Sequence, residues 1–145
     1  MLELIPFKDE DKELYLKTQI EAFKKYVIEF YGTFDIKIME DHLSQLKDNL
    51  YKIVNDGKEC GFVYFKEDRD KIIVDVFCLF KDQRNNGLGS CIMKSFIEKS
   101  KKLNKPIFLD TFKTNPAQNF YKKHGFKIVG ENHSHYILKY DPNSH

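Results

Sequence analysis

The chain has 145 residues, a length that makes one domain the simplest organisation and allows a real core without disulfides or metals. Apolar residues make up 41% and charged residues 32%, with 13 Phe and 8 Tyr, a balance that excludes disordered and fibrous classes. The formal net charge of +2 is too small to point to nucleic acid as the main partner, and no run approaches the apolar length of a membrane span. The N-terminus lacks the basic start and apolar stretch of a secretion signal, so a cytoplasmic protein is expected. Cys60, Cys78 and Cys91 share no metal-ligand spacing and each lies in an apolar stretch, so they read as buried small hydrophobes in a reducing compartment. No metal site is expected.

Leu2 to Phe7 reads as an N-terminal strand. Asp9 and Asp11 then place negative charge at the start of a long helix. Leu16, Ile20, Phe23, Val27 and Phe30 mark one apolar face of that helix, and Gly32 ends it. Ile38 to Leu50 repeats the helical pattern through Met39, Leu43, Leu46 and Leu50. Tyr51–Ile53 is a strand, Asn55-Asp56-Gly57 a hairpin turn and Cys60–Phe65 the return strand. Ile72 to Phe80 is a third, nearly continuous apolar strand broken by Asp75, which strand alternation places with Ile73 and Phe77.

Leu88 to Leu103 is helical, with lysines at its C-terminal end. Pro106–Phe112 is a strand and Asn115–His124 a short helix. Phe126–Gly130 and His135–Tyr140 are the last strands. The polar tail, residues 141–145, is expected to fray, leaving residues 1–140 as a single domain. The order β-α-α-β-β-β-α-β-α-β-β fits an α/β fold, a single mixed sheet flanked by helices on both sides.

The densest chemical signal lies between the third apolar strand and the next helix: Asp82-Gln83-Arg84-Asn85-Asn86-Gly87-Leu88-Gly89-Ser90. Gly87 and Gly89 remove side chains where backbone N–H groups must approach a ligand closely. The helix that follows brings its unpaired amides and positive dipole end to the same place, and Arg84 adds a donor fork. Together these make an anion site, beside the structural reading of an ordinary strand-to-helix turn with convenient glycines. It matches neither a P-loop, which needs GxxxxGK[ST], nor the three-glycine dinucleotide fingerprint.

Arg84-Asn85-Asn86-Gly87-Leu88-Gly89 resembles the Q/R-x-x-G-x-G/A motif of the GCN5-related N-acetyltransferases (GNAT superfamily). Asn115-Pro116-Ala117-Gln118-Asn119-Phe120-Tyr121, followed by Gly125-Phe126, is similar to the superfamily's fourth-helix motif, in the right register. With the element order, the resemblance extends from Leu2 to Tyr140. Gly32-Thr33-Phe34-Asp35 and Glu131 with His135-Tyr136 look like a small bacterial-type subgroup that carries no information about the acceptor. The resemblance implies a mostly antiparallel sheet and transfer of an acetyl group from acetyl-CoA to a primary amine of a small molecule or protein, with coenzyme A as product. It implies that backbone groups of Cys78 and Leu79 pair with the pantetheine arm. The amides of Arg84, Asn85, Asn86, Gly87, Leu88, Gly89 and Ser90 would cradle the pyrophosphate, with Asn115 on the pantetheine side.

Tyr121 matches the tyrosine that protonates the leaving sulfur in many members. For the base, the sequence offers Asp75, with Asp110, His135 and ordered water as alternatives. Asn115 also reads as a helix N-cap and Tyr121 as a core aromatic, so the structural readings stand beside the functional ones. A non-catalytic module of the same fold that senses acyl-CoA is the alternative function. The expected partners are acetyl-CoA and an amine acceptor, with no nucleic acid or membrane, in a monomer or homodimer.

Overall fold

A computed structural model describes residues 1–144. Its strands are β1 (Leu2–Pro6), β2 (Leu50–Asn55), β3 (Lys58–Glu67), β4 (Ile72–Leu79), β5 (Ile107–Phe112), β6 (Lys127–Glu131) and β7 (His135–Tyr140). Its helices are α1 (Lys12–Tyr31), α2 (Ile36–Leu46), α3 (Leu88–Leu103) and α4 (Ala117–Lys123). The strands form one seven-stranded sheet in the order β1-β2-β3-β4-β5-β7-β6, flanked by helices. β1/β2, β2/β3, β5/β7 and β6/β7 are antiparallel, and β4/β5 is the parallel pair. This is the mixed α/β fold that the order of elements implied.

The chain divides into two compact units. The first comprises Met1–Phe65 with Val76–Arg84, and the second Lys66–Asp75 with the described chain from Asn85 onward. In the first, an aromatic core joins Tyr15, Leu43, Leu50 and Phe62. Tyr15 and Phe62 meet edge to face at 5.3 Å, and Phe7 and Phe80 extend the cluster. Each such pair contributes about 0.5–1.5 kcal/mol beyond its area burial. In the second unit, Ile92, Met93, Phe96, Ile107, Leu109 and Leu138 are buried.

Local chemistry explains the helix boundaries. α1 ends at Gly32, whose left-handed φ of 78° lets its N–H return to the Ile28 carbonyl. α2 begins two residues before the apolar pattern predicts, because Asp35 caps it by accepting from the Lys37 N–H at 2.9 Å. The Asp56-Gly57 turn has both residues at positive φ, as a two-residue hairpin requires.

Three expectations are corrected. The buried residues of α1 are Tyr15, Thr18, Gln19 and Tyr26, whereas Leu16, Ile20, Phe23, Val27 and Phe30 are only half-buried. The helix is rolled toward Tyr15, which the ring cluster of Phe7 and Phe62 draws inward. Asp11 stands at the start of α1 as expected, and it is also buried, accepting from the Lys8 N–H and pairing with Lys52 at 3.0 Å. Cys91 is exposed, unlike Cys60 and Cys78. The tail does not simply fray, since Pro142–Ser144 form a 3-10 turn against α3; His145 lies outside the described residues.

Candidate acyl-donor site

In the first unit, the end of β4 is fixed from several directions. The Phe80 N–H donates to the Cys60 carbonyl at 2.8 Å, tying this segment to β3. Gly61 lies so close to it that a Cβ there would sit 2.2 Å from the Cys78 carbonyl oxygen and 2.8 Å from the Leu79 Cα. Arg84 Nε donates to the Leu79 carbonyl at 3.0 Å, and its terminal nitrogen pairs with Glu21 at 3.1 Å. The guanidinium thus anchors the end of β4. Its engaged fork differs from the open donor that the sequence suggested. Burial pushes the Cys78 thiol up to about 11, against the opposing pull of Arg84, so at neutral pH it is a thiol.

Val76 is the strained point of β4. It has φ +44° in mid-strand, a conformation that costs a β-branched residue about 1–3 kcal/mol and clusters at functional sites. The regular alternation that would align Asp75 with Phe77 is interrupted there.

In the second unit, Asn85 at φ +64° and Gly87 at φ +85° reverse the chain just before α3. Asn86 Oδ1 accepts from the Leu88 N–H at 3.2 Å, and the first bond of the helix runs from the Cys91 N–H to the Gly87 carbonyl at 3.1 Å. The N–H groups of Gly89 and Ser90 have no acceptor among the described residues. Two adjacent amides at the start of a 16-residue helix form a concentrated donor site for an oxyanion. Ser90 Oγ meets His124 Nε2 at 3.2 Å, so the same turn is joined to the end of α4. Burial, with Lys94 and Lys123, holds His124 below its ordinary range.

α4 starts where Asn115 Oδ1 accepts from the Ala117 N–H at 2.9 Å, with Pro116 between them. The helix is shorter than expected at both ends, but the Asn-Pro cap is the one the sequence indicates. Tyr121 is buried against Phe120 and Phe126, and Phe126 continues to Tyr140. Asp75 is half-buried and Asp110 exposed.

The structure therefore groups Cys78, Leu79 and Arg84 in one unit. In the other it joins the Asn85–Ser90 turn to α4, which carries Tyr121. Sequence reasoning missed Gly61, Val76, Glu21 and His124. A glycine inside a strand is a signal of close backbone approach that could have found Gly61; nothing local marks Val76 or Glu21.

A family model described as an acetyltransferase (GNAT) domain matches residues 47–128, more than half of the chain. Among solved structures, the chain is similar to the PaiA N-acetyltransferase from Thermoplasma acidophilum in complex with coenzyme A, with TM-score 0.69, 18% identity and coverage of 97% of this chain and 99% of that one. It is similar to an acetyltransferase from Thermus thermophilus, with TM-score 0.74, 14% identity and 97% of each chain covered. It is also similar to the ribosomal-protein-S18-alanine N-acetyltransferase from Escherichia coli, with TM-score 0.68, 14% identity and coverage of 97% and 94%. No curated protein matches significantly in sequence. With the glycine turn, the capped α4 and the matching fold now in place, the chain belongs to the GNAT acetyltransferase family.

Proposed function

We propose that the protein is an acetyl-CoA-dependent N-acetyltransferase acting on a primary amine of a small molecule or protein by direct attack in a ternary complex. The observation that carries this reading is the pair of unsatisfied amides at Gly89 and Ser90, behind the two left-handed residues Asn85 and Gly87. Pyrophosphate is the part of acetyl-CoA that such a turn selects, through the backbone rather than through side-chain charge. Main-chain groups of Cys78 and Leu79 hold the pantetheine arm as an added strand would, and Asn115 is assigned a pantetheine contact.

The amine nitrogen attacks the thioester carbonyl carbon, an N–C bond forms, and the C–S bond breaks. Tyr121 gives its proton to the departing thiolate, and the surplus proton on nitrogen passes to a base. Direct transfer is favoured over an acyl-cysteine intermediate because Cys78 holds its proton at neutral pH. Asp75, beside the strained Val76, and His135, at the start of β7, compete for the role of base.

Calorimetry with acetyl-CoA, beside thiol release over a panel of aliphatic and aromatic amines, tests the reading. Gly87→Val should weaken acetyl-CoA binding by about tenfold or more, equivalent to ~1.4 kcal/mol. A Cβ at Gly87 meets no atom within 4 Å, so the loss reflects the turn's left-handed backbone and not a clash. Unchanged affinity in a folded variant refutes the pyrophosphate assignment. Tight binding with no turnover on any amine makes the protein an acyl-CoA-binding module instead.

A further inference from the structure

An acetyl transfer to an amine needs a proton acceptor, and the first residue of β7, His135, lies beside the carboxyl end of β5 with a side chain suited to that task. The parallel ladder joins Ile72 to Ile107 and Ile73 to Phe108. From Leu109 to Phe112 β5 continues its pairing with β7, and this is the strand end at which α/β sheets place ligands. Phe112 faces His135 there, with the two rings 4.1 Å apart. The Lys113 N–H donates to the Ser134 carbonyl at 2.9 Å, and the chain then runs directly into the Asn115 cap of α4, the helix of Tyr121.

The imidazole is oriented by its neighbours. His135 Nδ1 lies 2.7 Å from Ser134 Oγ, and the Ser134 hydroxyl donates to Asn132 Oδ1 at 3.4 Å. Asn132 Oδ1 also accepts from the backbone N–H groups of Ser134 and His135, at 3.0 and 2.8 Å, so the carbonyl end of that amide is fixed as an acceptor. When the Ser134 hydroxyl donates to Asn132 it accepts from Nδ1–H, and that is the tautomer that keeps the lone pair on Nε2. Nε2 has no hydrogen-bond partner among the described residues.

We propose that His135 Nε2 takes the proton from the amine nitrogen as that nitrogen attacks the thioester, with Ser134 and Asn132 holding the tautomer and Asp110 balancing the charge the ring gains. The proposal rests on the acetyltransferase reading and names the base of that same site. The proton leaves nitrogen for Nε2 while Tyr121 supplies the proton that sulfur takes, so protons and charge balance across the step. Burial holds His135 below its ordinary range, and Asp110 opposes that shift, so the ring is neutral and ready to accept at neutral pH. The other charged groups on the flanking segments are Lys113 and Glu131, paired with each other at 3.3 Å, and His133 in the turn before β7. A base weaker than a free amine suffices, because the nitrogen becomes acidic as the N–C bond forms.

The test compares wild type with His135→Gln, Ser134→Ala and Asp75→Asn, using acetyl-CoA and one amine that the wild type acetylates. His135→Gln should keep its acetyl-CoA affinity and lose about 10²- to 10⁴-fold in kcat/KM. It should also lose the acidic limb of the pH profile, which in wild type lies below the ordinary imidazole range. Ser134→Ala should lose less, with a displaced limb, because only the tautomer is disturbed. ¹⁵N NMR of the wild-type imidazole should show the proton on Nδ1. A folded His135→Gln within about threefold of wild type overturns the proposal, as does a proton resident on Nε2 or an equal loss in Asp75→Asn alone. A wild type that binds acetyl-CoA and acetylates no amine refutes the transferase reading itself, an outcome distinct from the others.

Discussion

Adding one methyl group at Gly61 should damage both the fold and the donor site. The added Cβ of Gly61→Ala would fall 2.2 Å from the Cys78 carbonyl oxygen and 2.8 Å from the Leu79 Cα, whereas ordinary contacts begin at 3.4 Å. Both atoms are main chain and neither can rotate away. β3 and the end of β4 must separate by about an ångström, against the hydrogen bond from the Phe80 N–H to the Cys60 carbonyl. Overpacking of this kind costs about 1–3 kcal/mol. For a chain of this size that corresponds to a fall of about 3–10 °C in Tm. Because Cys78 and Leu79 are the backbone proposed to hold pantetheine, acetyl-CoA affinity should drop by about tenfold or more as well. Gly57→Ala is the control: its Cβ meets nothing within 4 Å, so only the strain of φ +79° applies and acetyl-CoA binding should not change. Differential scanning calorimetry and isothermal titration measure the two effects. A Gly61→Ala protein with wild-type Tm and affinity would show that the approach of β3 to β4 does not shape the donor site.

Tyr121→Phe keeps the ring packed on Phe126 and removes the hydroxyl. Its kcat should fall about 10²- to 10⁴-fold while KM for acetyl-CoA moves far less, and near-wild-type turnover in steady-state assays assigns the hydroxyl a structural role. Arg84→Ala releases the Leu79 carbonyl and Glu21 together and should raise KM for acetyl-CoA about tenfold; Arg84→Lys should not restore it, since a point charge does not reproduce the two-pronged fork. His124 has its folded pKa lowered by burial, so below about pH 6.5 the unfolded chain binds the extra proton first, and stability falls as pH drops through the lowered folded value. Tm measured from pH 7 to pH 5 should therefore fall more steeply in wild type than in His124→Gln.

The parts of the molecule legible in the sequence are those whose cause lies in adjacent residues. The Asp56-Gly57 turn, the Gly32 stop, the Asn115-Pro116 cap and the Asn85–Gly87 reversal each need a particular residue type at one position, and each forms where the sequence places it. What could not be read depends on partners distant in the chain. The roll of α1 follows from Phe7 and Phe62 closing on Tyr15, and the engagement of Arg84 follows from Glu21, 63 residues away. The kink at Val76 has no local marker at all, because valine is among the last residues expected at positive φ.

The same division runs through the candidate site. An anion cradle is made of backbone, so it leaves glycines and left-handed residues as a trace that any reader of the sequence can find. A general base is made of one ordinary side chain, and aspartates and histidines are scattered along the whole chain. What separates His135 from the rest is not its type. It is the contact of Nδ1 with Ser134 Oγ, and of Ser134 with Asn132 Oδ1, which only the folded turn before β7 assembles.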